Sequence, residues 1–254
     1  MTMRLTVLGA SPACQNSDGA CSGYLLEQDD TAIVLDCGPG VFARLQRYTR
    51  PESVRAVIIS HMHADHTLDL MQYRYYLEFL RDLRPEVPRP QLYLPPTGHQ
   101  RLLGVSAMQD PSPTFFSNTF DLSEYDPTLP LSLGPLSLRF VPVVHIPHTY
   151  AMRVSGAGVC AFSADSGPCA GLVEVARDSD LFLCESSNKE HSTYPFHLTP
   201  AQAGTYATEA GARSLLLTHR WRLLGDDVTL TQARATYAGP LDIAKEDMRV
   251  TIGS

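Results

Sequence analysis

Val54-Arg55-Ala56-Val57-Ile58-Ile59-Ser60 runs without interruption into His61-Met62-His63-Ala64-Asp65-His66. The first seven residues are mostly β-branched and apolar, with no polar alternation. That pattern belongs to a strand buried on both faces. Such a strand needs cover on both sides and so points to a layered α/β architecture. It delivers His61 at its C-terminal end. In extended backbone His61 and His63, two residues apart, project to the same side. Asp65 and His66 stand where the chain turns toward a helix, so they diverge from the first pair. One short segment can then feed two neighbouring metal ions. Three histidines and an aspartate within six residues are the imidazole and carboxylate donors of a metal site.

Working outward, residues 4–9, 23–27 and 31–36 read as strands, the last ending in Asp36-Cys37-Gly38-Pro39-Gly40. A helix is expected over 41–48 and another over 68–83, followed by a short strand at 91–94 and a weaker helix over 97–108. Residues 110–131 are rich in Pro, Ser, Thr and Asp and read mostly as loop. Beyond them, strands are expected at 136–145, 150–155, 158–163 and 180–185. Thr199-Pro200-Ala201-Gln202 has the form of a capping box with proline at the first helical position, and Gly211 ends that helix. Residues 214–218 form a buried strand that delivers His219; a helix near 230–237 and a strand near 248–252 finish the chain. Each half starts with strands and ends in alternating strands and helices. That order predicts an αββα sandwich of two mixed sheets, treated as one domain over 1–254.

The chain has 254 residues, 44% of them hydrophobic, and a formal net charge of −7. This is globular composition with ample core. Acidic balance disfavours broad, sequence-independent nucleic-acid binding, which needs a positive face. The six cysteines, Cys14, Cys21, Cys37, Cys160, Cys169 and Cys184, include no CxxC pair. They are expected as reduced thiols in a cytoplasmic protein. No apolar stretch approaches a membrane span, and residues 1–9 lack the run of a signal peptide.

Six residues cannot close two coordination shells. Further donors are expected at strand ends, which converge on crevices in layered folds. His145, Asp165 and His219 each follow an apolar run and are the candidates.

With these positions the sequence resembles the metallo-β-lactamase superfamily, in its ribonuclease Z-like and phosphodiesterase branch. The resemblance runs over nearly the whole chain. It is carried by Leu35-Asp36-Cys37-Gly38-Pro39-Gly40, the HxHxDH cluster, Val144-His145 ahead of Tyr150-Ala151-Met152-Arg153, Ser163-Ala164-Asp165-Ser166-Gly167, Cys184-Glu185-Ser186-Ser187, His197-Leu198-Thr199 and Leu217-Thr218-His219. It implies that His61, His63 and His145 hold one metal, that Asp65, His66 and His219 hold the other, and that Asp165 bridges both. Zinc suits these donors, and manganese or iron would also fit. Asp36 is implied as a residue that orients the ligands, with a strand-end cap as the alternative. Relatives more often carry glycine where Ala164 stands.

Two metals in such a site lower the pKa of a shared water, and the hydroxide attacks an electrophilic centre. The leaving oxygen then needs a proton. The resemblance places a non-ligand histidine in contact with substrate at His197, which Glu185 could orient, a plain strand-end carboxylate being the alternative; Asp65 is a ligand that could also accept a proton during attack. Arg153, Arg220 and Arg222 could bind a phosphate, and the aromatic stretch 73–76 either stacks a base or packs in the core. His99, His148 and His191 read as solvated histidines. Ribonuclease Z proper has a long tRNA-gripping arm between the positions of His145 and Asp165. Here those residues are only twenty apart, leaving room for two strands and a turn. The leading expectation is a phosphodiesterase on small or short substrates, cyclic nucleotides or short oligonucleotides. The alternatives are an arm-less tRNA 3′-processing endonuclease, a lactone or thioester hydrolase, and a metal-holding regulatory protein with little turnover. A homodimer is expected by analogy with relatives.

Overall fold

The computed structural model describes residues 2–190 and 192–253. The first sheet has the order β14-β1-β2-β3-β4-β5-β6. Its strands are β1 (Met3–Gly9), β2 (Gly23–Gln28), β3 (Thr31–Leu35), β4 (Ala56–Ile58), β5 (Gln91–Leu94), β6 (Asp121–Glu124) and β14 (Arg249–Ile252). The second has the order β13-β12-β11-β10-β9-β8-β7. It comprises β7 (Leu131–Leu133), β8 (Leu136–Val143), β9 (Thr149–Ser155), β10 (Val159–Phe162), β11 (Leu181–Glu185), β12 (Leu215–Thr218) and β13 (Leu241–Ile243). The helices are α1 (Val41–Leu45), α2 (Ala64–Thr67), α3 (Asp69–Leu83), α4 (Gly98–Ser106), α5 (Ala170–Ala176), α6 (Pro200–Glu209) and α7 (Asp226–Arg234).

The two sheets follow one plan. β1, β2 and β3 pair antiparallel, whereas β3 to β6 pair parallel. Likewise β7 to β10 are antiparallel and β10 to β13 parallel. Two antiparallel steps separate β8 from β10, so these strands run the same way. The strands that end at Asp36, His61, His145, Asp165, Glu185 and His219 therefore discharge those residues at strand C-termini.

Alternation along each strand explains the layers. Ile33 and Leu35 of β3 enter the core between the sheets, and Val34 between them faces the helices. Leu181 and Leu183 of β11 face inward, and Phe182 and Cys184 outward against the helix layer. Strands buried on both faces need no polar positions, which accounts for the unbroken apolar runs. The outer layer over the first sheet takes Phe42, Leu45, Leu70, Tyr73 and Leu77 from α1 and α3. Tyr73 is thus a core residue, fully buried with its hydroxyl donating to Pro51 O.

Several expectations need correction. The stretch 110–131 is not simply loop: β6 continues the parallel run, pairing Gln91 to Leu94 with Asp121 to Glu124. Its alternation was masked because three of its four residues are polar edge positions. The short β7, β13 and α5 were not anticipated, being too brief for periodicity to register. The last helix starts at Asp226, earlier than expected, behind Gly225 with φ of 74°. The capping box stands as expected: Gln202 N donates to Thr199 Oγ1 at 3.2 Å and Thr199 N to Gln202 Oε1 at 2.9 Å. Among the described residues, no helix is long and apolar enough to cross a membrane. All six cysteines are free thiols.

Candidate metal centre

The chain leaves β4 after Ile58 and passes Ser60, His61 and His63 before α2 begins. Asp65 and His66 fall in that helix and are buried. A Cβ on Gly38 would lie 1.8 Å from Asp65 O, so only glycine lets the β3 exit pass beneath this turn. The exits of β3, β10 and β12 are sharp. Asp36, Ala164 and His219 have φ of 59°, 50° and 50°. Left-handed backbone outside glycine costs on the order of 1–3 kcal/mol and gathers at functional sites. Ala164 bears that cost just before Asp165.

Seven expected ligands converge as two groups that share one residue. His61, His63, His145 and Asp165 form one; Asp65, His66, Asp165 and His219 form the other, with donor atoms within 4.8 Å of one another in each. Asp165 divides its oxygens between them. Oδ2 lies 3.8 Å from the Nε2 atoms of both His61 and His145. Oδ1 lies 3.3 Å from His66 Nε2 and 3.4 Å from His219 Nε2. Asp65 Oδ2 completes the second group, 3.1 Å from His219 Nε2 and 3.3 Å from His66 Nε2.

Surrounding hydrogen bonds fix which nitrogen is free. Ser60 Oγ donates to Asp36 Oδ2 at 2.8 Å, so it can only accept from His61 Nδ1 at 3.0 Å. His66 Nδ1 donates to Asp36 Oδ2 at 2.7 Å, and His145 Nδ1 to Phe196 O at 3.0 Å. Ser187 Oγ donates to His219 O at 2.5 Å and accepts from His219 Nδ1 at 2.7 Å. In the neutral form each of these four rings then presents an Nε2 lone pair to the cage. His63 turns Nδ1 inward, 3.1 Å from His61 Nε2 and 3.2 Å from His145 Nε2. Lone pairs facing one another and carboxylate oxygens repel. His66 Nε2 and Asp165 Oδ1 are buried with no hydrogen-bond partner. Four donors about 2.0–2.1 Å from one tetrahedral ion would lie about 3.3–3.4 Å apart. The observed spacings fit a cation in each group.

Electrostatics agrees. Burial pushes the His61 pKa well down, so it stays neutral. Burial pushes the Asp65 carboxyl up, but the adjacent His219 and His66 rings outweigh that and hold it below the usual carboxylate range. For His66 burial opposes the charged form, yet Asp165 and Asp36 prevail and raise its pKa well above the ordinary value. That proton is one a cation would displace.

Asp36 is hydrogen-bonded to the candidate donor His66 and to Ser60 beside His61. Its carboxylate accepts from Ser60 N at 2.7 Å, from Ser60 Oγ and from His66. It thereby serves one histidine of each group. An Asp36→Ala variant is expected to weaken metal affinity about 10–100-fold, read by chelator competition on folded protein; unchanged affinity would refute the role.

His197 lies beside both groups, its ring centroid 5.1 Å from that of His145 and 5.6 Å from that of His219. Its Nδ1 donates to Glu185 Oε1 at 2.6 Å. Glu185 is buried at the end of β11 and also accepts from Ser166 N and Ser187 N, both at 3.0 Å. Burial lowers the His197 pKa, but the Glu185 hydrogen bond and charge outweigh it and set the value at about 8. Raised above the unfolded value of 6.5, this pKa stabilises the fold fully below pH 6.5, and that gain is lost as pH rises through about 8. In metal-free protein, Glu185→Gln is expected to return the His197 titration followed by NMR toward 6.5; an unmoved curve would show that Glu185 does not set it.

The expected arginines do not join the site. Arg153 Nη1 donates to Val175 O at 3.0 Å and Arg177 O at 2.7 Å, closing the end of α5 in the outer layer. Arg220 pairs with Asp226, and Arg222 donates to Ser17 O at 2.7 Å. Each side chain is bonded within the protein, to carbonyls or a carboxylate of other segments, although Arg220 Nε has no hydrogen-bond partner. His148 is exposed as expected, His99 is half-buried at the start of α4, and His191 lies outside the described residues. Ser60, Ser187 and Phe196 O were not anticipated as orienting partners. Ser187 does stand in the Cys184-Glu185-Ser186-Ser187 run, a signal to which no role had been attached.

A model of the β-lactamase superfamily domain matches residues 31–220. The chain is 36% identical over 249 residues to an uncharacterized protein of Mycobacterium tuberculosis, covering 95% of this chain and 89% of that one. It is 30% identical over 246 residues to the probable metallo-hydrolase YhfI of Bacillus subtilis, covering 96% and 97%. The crystal structure of YhfI, a metallo-β-lactamase fold protein, superposes with a TM-score of 0.91 at 26% identity, covering 99% of this chain and all of that one. A ribonuclease Z of Myxococcus xanthus is 27% identical over 305 residues, covering 98% of each chain.

Proposed function

The chain belongs to the metallo-β-lactamase superfamily of metal-dependent hydrolases, and on that footing we propose that it is a phosphodiesterase acting on small or short phosphodiesters with two divalent metals, zinc first among them. The observation that carries this reading is the position of His197: a proton donor locked by Glu185 beside one ligand of each donor group. His61, His63, His145 and Asp165 would hold one ion, and Asp65, His66, His219 and Asp165 the other. Such a pair, when bound, makes water acidic enough to attack near neutral pH and offsets the charge of a phosphoryl transition state.

The residues of the chain do the rest. Asp165, divided between both groups, sets their separation and is committed as a ligand, as is Asp65. Neither is free to act as the principal base. With Nδ1 held by Glu185, His197 offers Nε2 to the substrate. As the P–O bond to water forms and the bond to the leaving group breaks, His197 Nε2 gives its proton to the leaving oxygen. The proton of the water passes to solvent, and His197 regains one from solvent before the next turnover.

Small substrates are favoured by the segment between His145 and Asp165. It is used up by β9, β10 and the turn joining them, with no arm. The named ribonuclease Z relative supports phosphodiester chemistry more broadly. Metal-loaded protein offered bis-p-nitrophenyl phosphate, cyclic mononucleotides, pre-tRNA and an acyl lactone separates the readings. Cleavage of the cyclic mononucleotides is expected. Cleavage of the lactone alone would sink the proposal, pre-tRNA alone would favour the endonuclease, and metal binding without turnover would favour a regulatory protein.

A further inference from the structure

The segment that carries His197 also carries two aromatic rings that proton transfer does not use. Tyr194 is 54% exposed. Its ring stacks on the His197 imidazole, centroids 5.7 Å apart and planes at 27°, and meets Phe196 nearly edge-on at 5.6 Å. His197 stacks in turn on His219, at 5.6 Å and 22°. An exposed aromatic ring thus lies two rings from a metal donor. Its placement is built. Asn188 Nδ2 donates to Tyr194 O at 2.9 Å and to His197 O at 2.8 Å. A Cβ on Gly167 would fall 1.7 Å from Pro195 O, so glycine is required for the segment to lie where it does. On the neighbouring β8 exit, Ile146 and Val144 flank His145 and are also exposed, at 64% and 42%. The His145 ring meets Phe196 edge-on at 6.3 Å.

Exposed apolar side chains occur elsewhere on the described surface too, but Tyr194 differs in that its ring stacks directly on His197, beside the donor groups. Beside the group that protonates the leaving oxygen, an aromatic ring is a platform for what the leaving oxygen is attached to. A nucleobase is flat and polarisable, and a base–aromatic stack tolerates any base. The expected phosphate-binding arginines are engaged elsewhere, so recognition of the substrate falls more heavily on this surface.

We propose that Tyr194 is a specificity-determining residue whose exposed ring stacks the base of a nucleotide substrate, with Ile146 and Val144 adding apolar contact, so that base-bearing phosphodiesters are selected over base-free ones. This rests on the phosphodiesterase reading above. The test uses metal-loaded wild-type, Tyr194→Leu and Tyr194→Phe proteins with 3′,5′-cyclic AMP and with the matching ribose cyclic phosphate that lacks a base. Tyr194→Leu is expected to raise KM for cyclic AMP about tenfold with kcat little changed, within the range of one lost stack. The base-free substrate is expected to be unaffected, and Tyr194→Phe to retain the wild-type KM. Equal effects on both substrates, or none, would overturn the proposal. Calorimetry with adenosine 5′-monophosphate separates it from the reading it rests on. If no phosphodiester is cleaved but this nucleotide binds the wild type about tenfold tighter than Tyr194→Leu, the stack stands and the hydrolytic reading falls. If it binds both alike, or neither, the stack falls.

Discussion

An Asp165→Ala variant is expected to lose metal from both donor groups at once and with it nearly all hydrolysis. Asp165 is 2% exposed and sends one oxygen to each group. Among the described residues, Asp165 alone belongs to both groups. The metals are asked to supply several kcal/mol of transition-state stabilisation, and each 1.4 kcal/mol is a factor of ten. Loss of activity on the order of a thousandfold or more follows. His63→Ala, by contrast, touches only the first group, so its metal content is expected to fall by one ion rather than two. Elemental analysis of the purified variants reads both outcomes. Wild-type stoichiometry in Asp165→Ala would overturn the bridging assignment, and equal depletion in the two variants would show that the groups do not fill independently.

The second large effect is expected at His197. Alanine there leaves all seven donors in place, so metal content is expected to hold while kcat falls about 10²- to 10⁴-fold, the usual worth of a positioned acid. The loss should depend on the leaving group. An alkoxide, as from a cyclic nucleotide, must be protonated as it departs; p-nitrophenolate is stable without a proton. His197→Ala is therefore expected to cripple hydrolysis of the first and largely spare the second. Equal losses on both would remove His197 from proton transfer and leave it a substrate contact. A variant that kept full turnover would remove it from the reaction altogether.

The candidate donor set is legible in the sequence because its parts sit at predictable points. An apolar run marks a strand buried on both faces, and a histidine or aspartate at or just beyond its end stands at a strand end. His61, His145, Asp165 and His219 all satisfied that rule, and the structure brings them together. The sandwich was legible for the same reason, since the period of the apolar residues reports which faces are covered. Polar edge strands such as β6 and three-residue strands such as β7 and β13 were not legible, because pairing with a neighbour, rather than their own pattern, makes them strands.

What the sequence determined by itself was therefore the set of candidate donors at strand ends and the order of the layers, which spacing and burial report, while the roles of those donors came from the resemblance. The tertiary structure brings those donors into the two groups around Asp165 that the resemblance implied, and it alone decided which ring nitrogen each histidine turns inward. Those choices depend on Asp36, Ser187 and Phe196, which other segments bring in, and on Ser60 beside His61. It also decided that Arg153, Arg220 and Arg222 spend their charge on the protein, that Tyr73 packs in the core, and that Tyr194 stays exposed beside His197. The physical reason is common to all of these. Spacing along a chain records whether a side chain is covered, whereas the direction in which it points and the partner it meets are set by residues far away in sequence that packing brings within hydrogen-bonding distance.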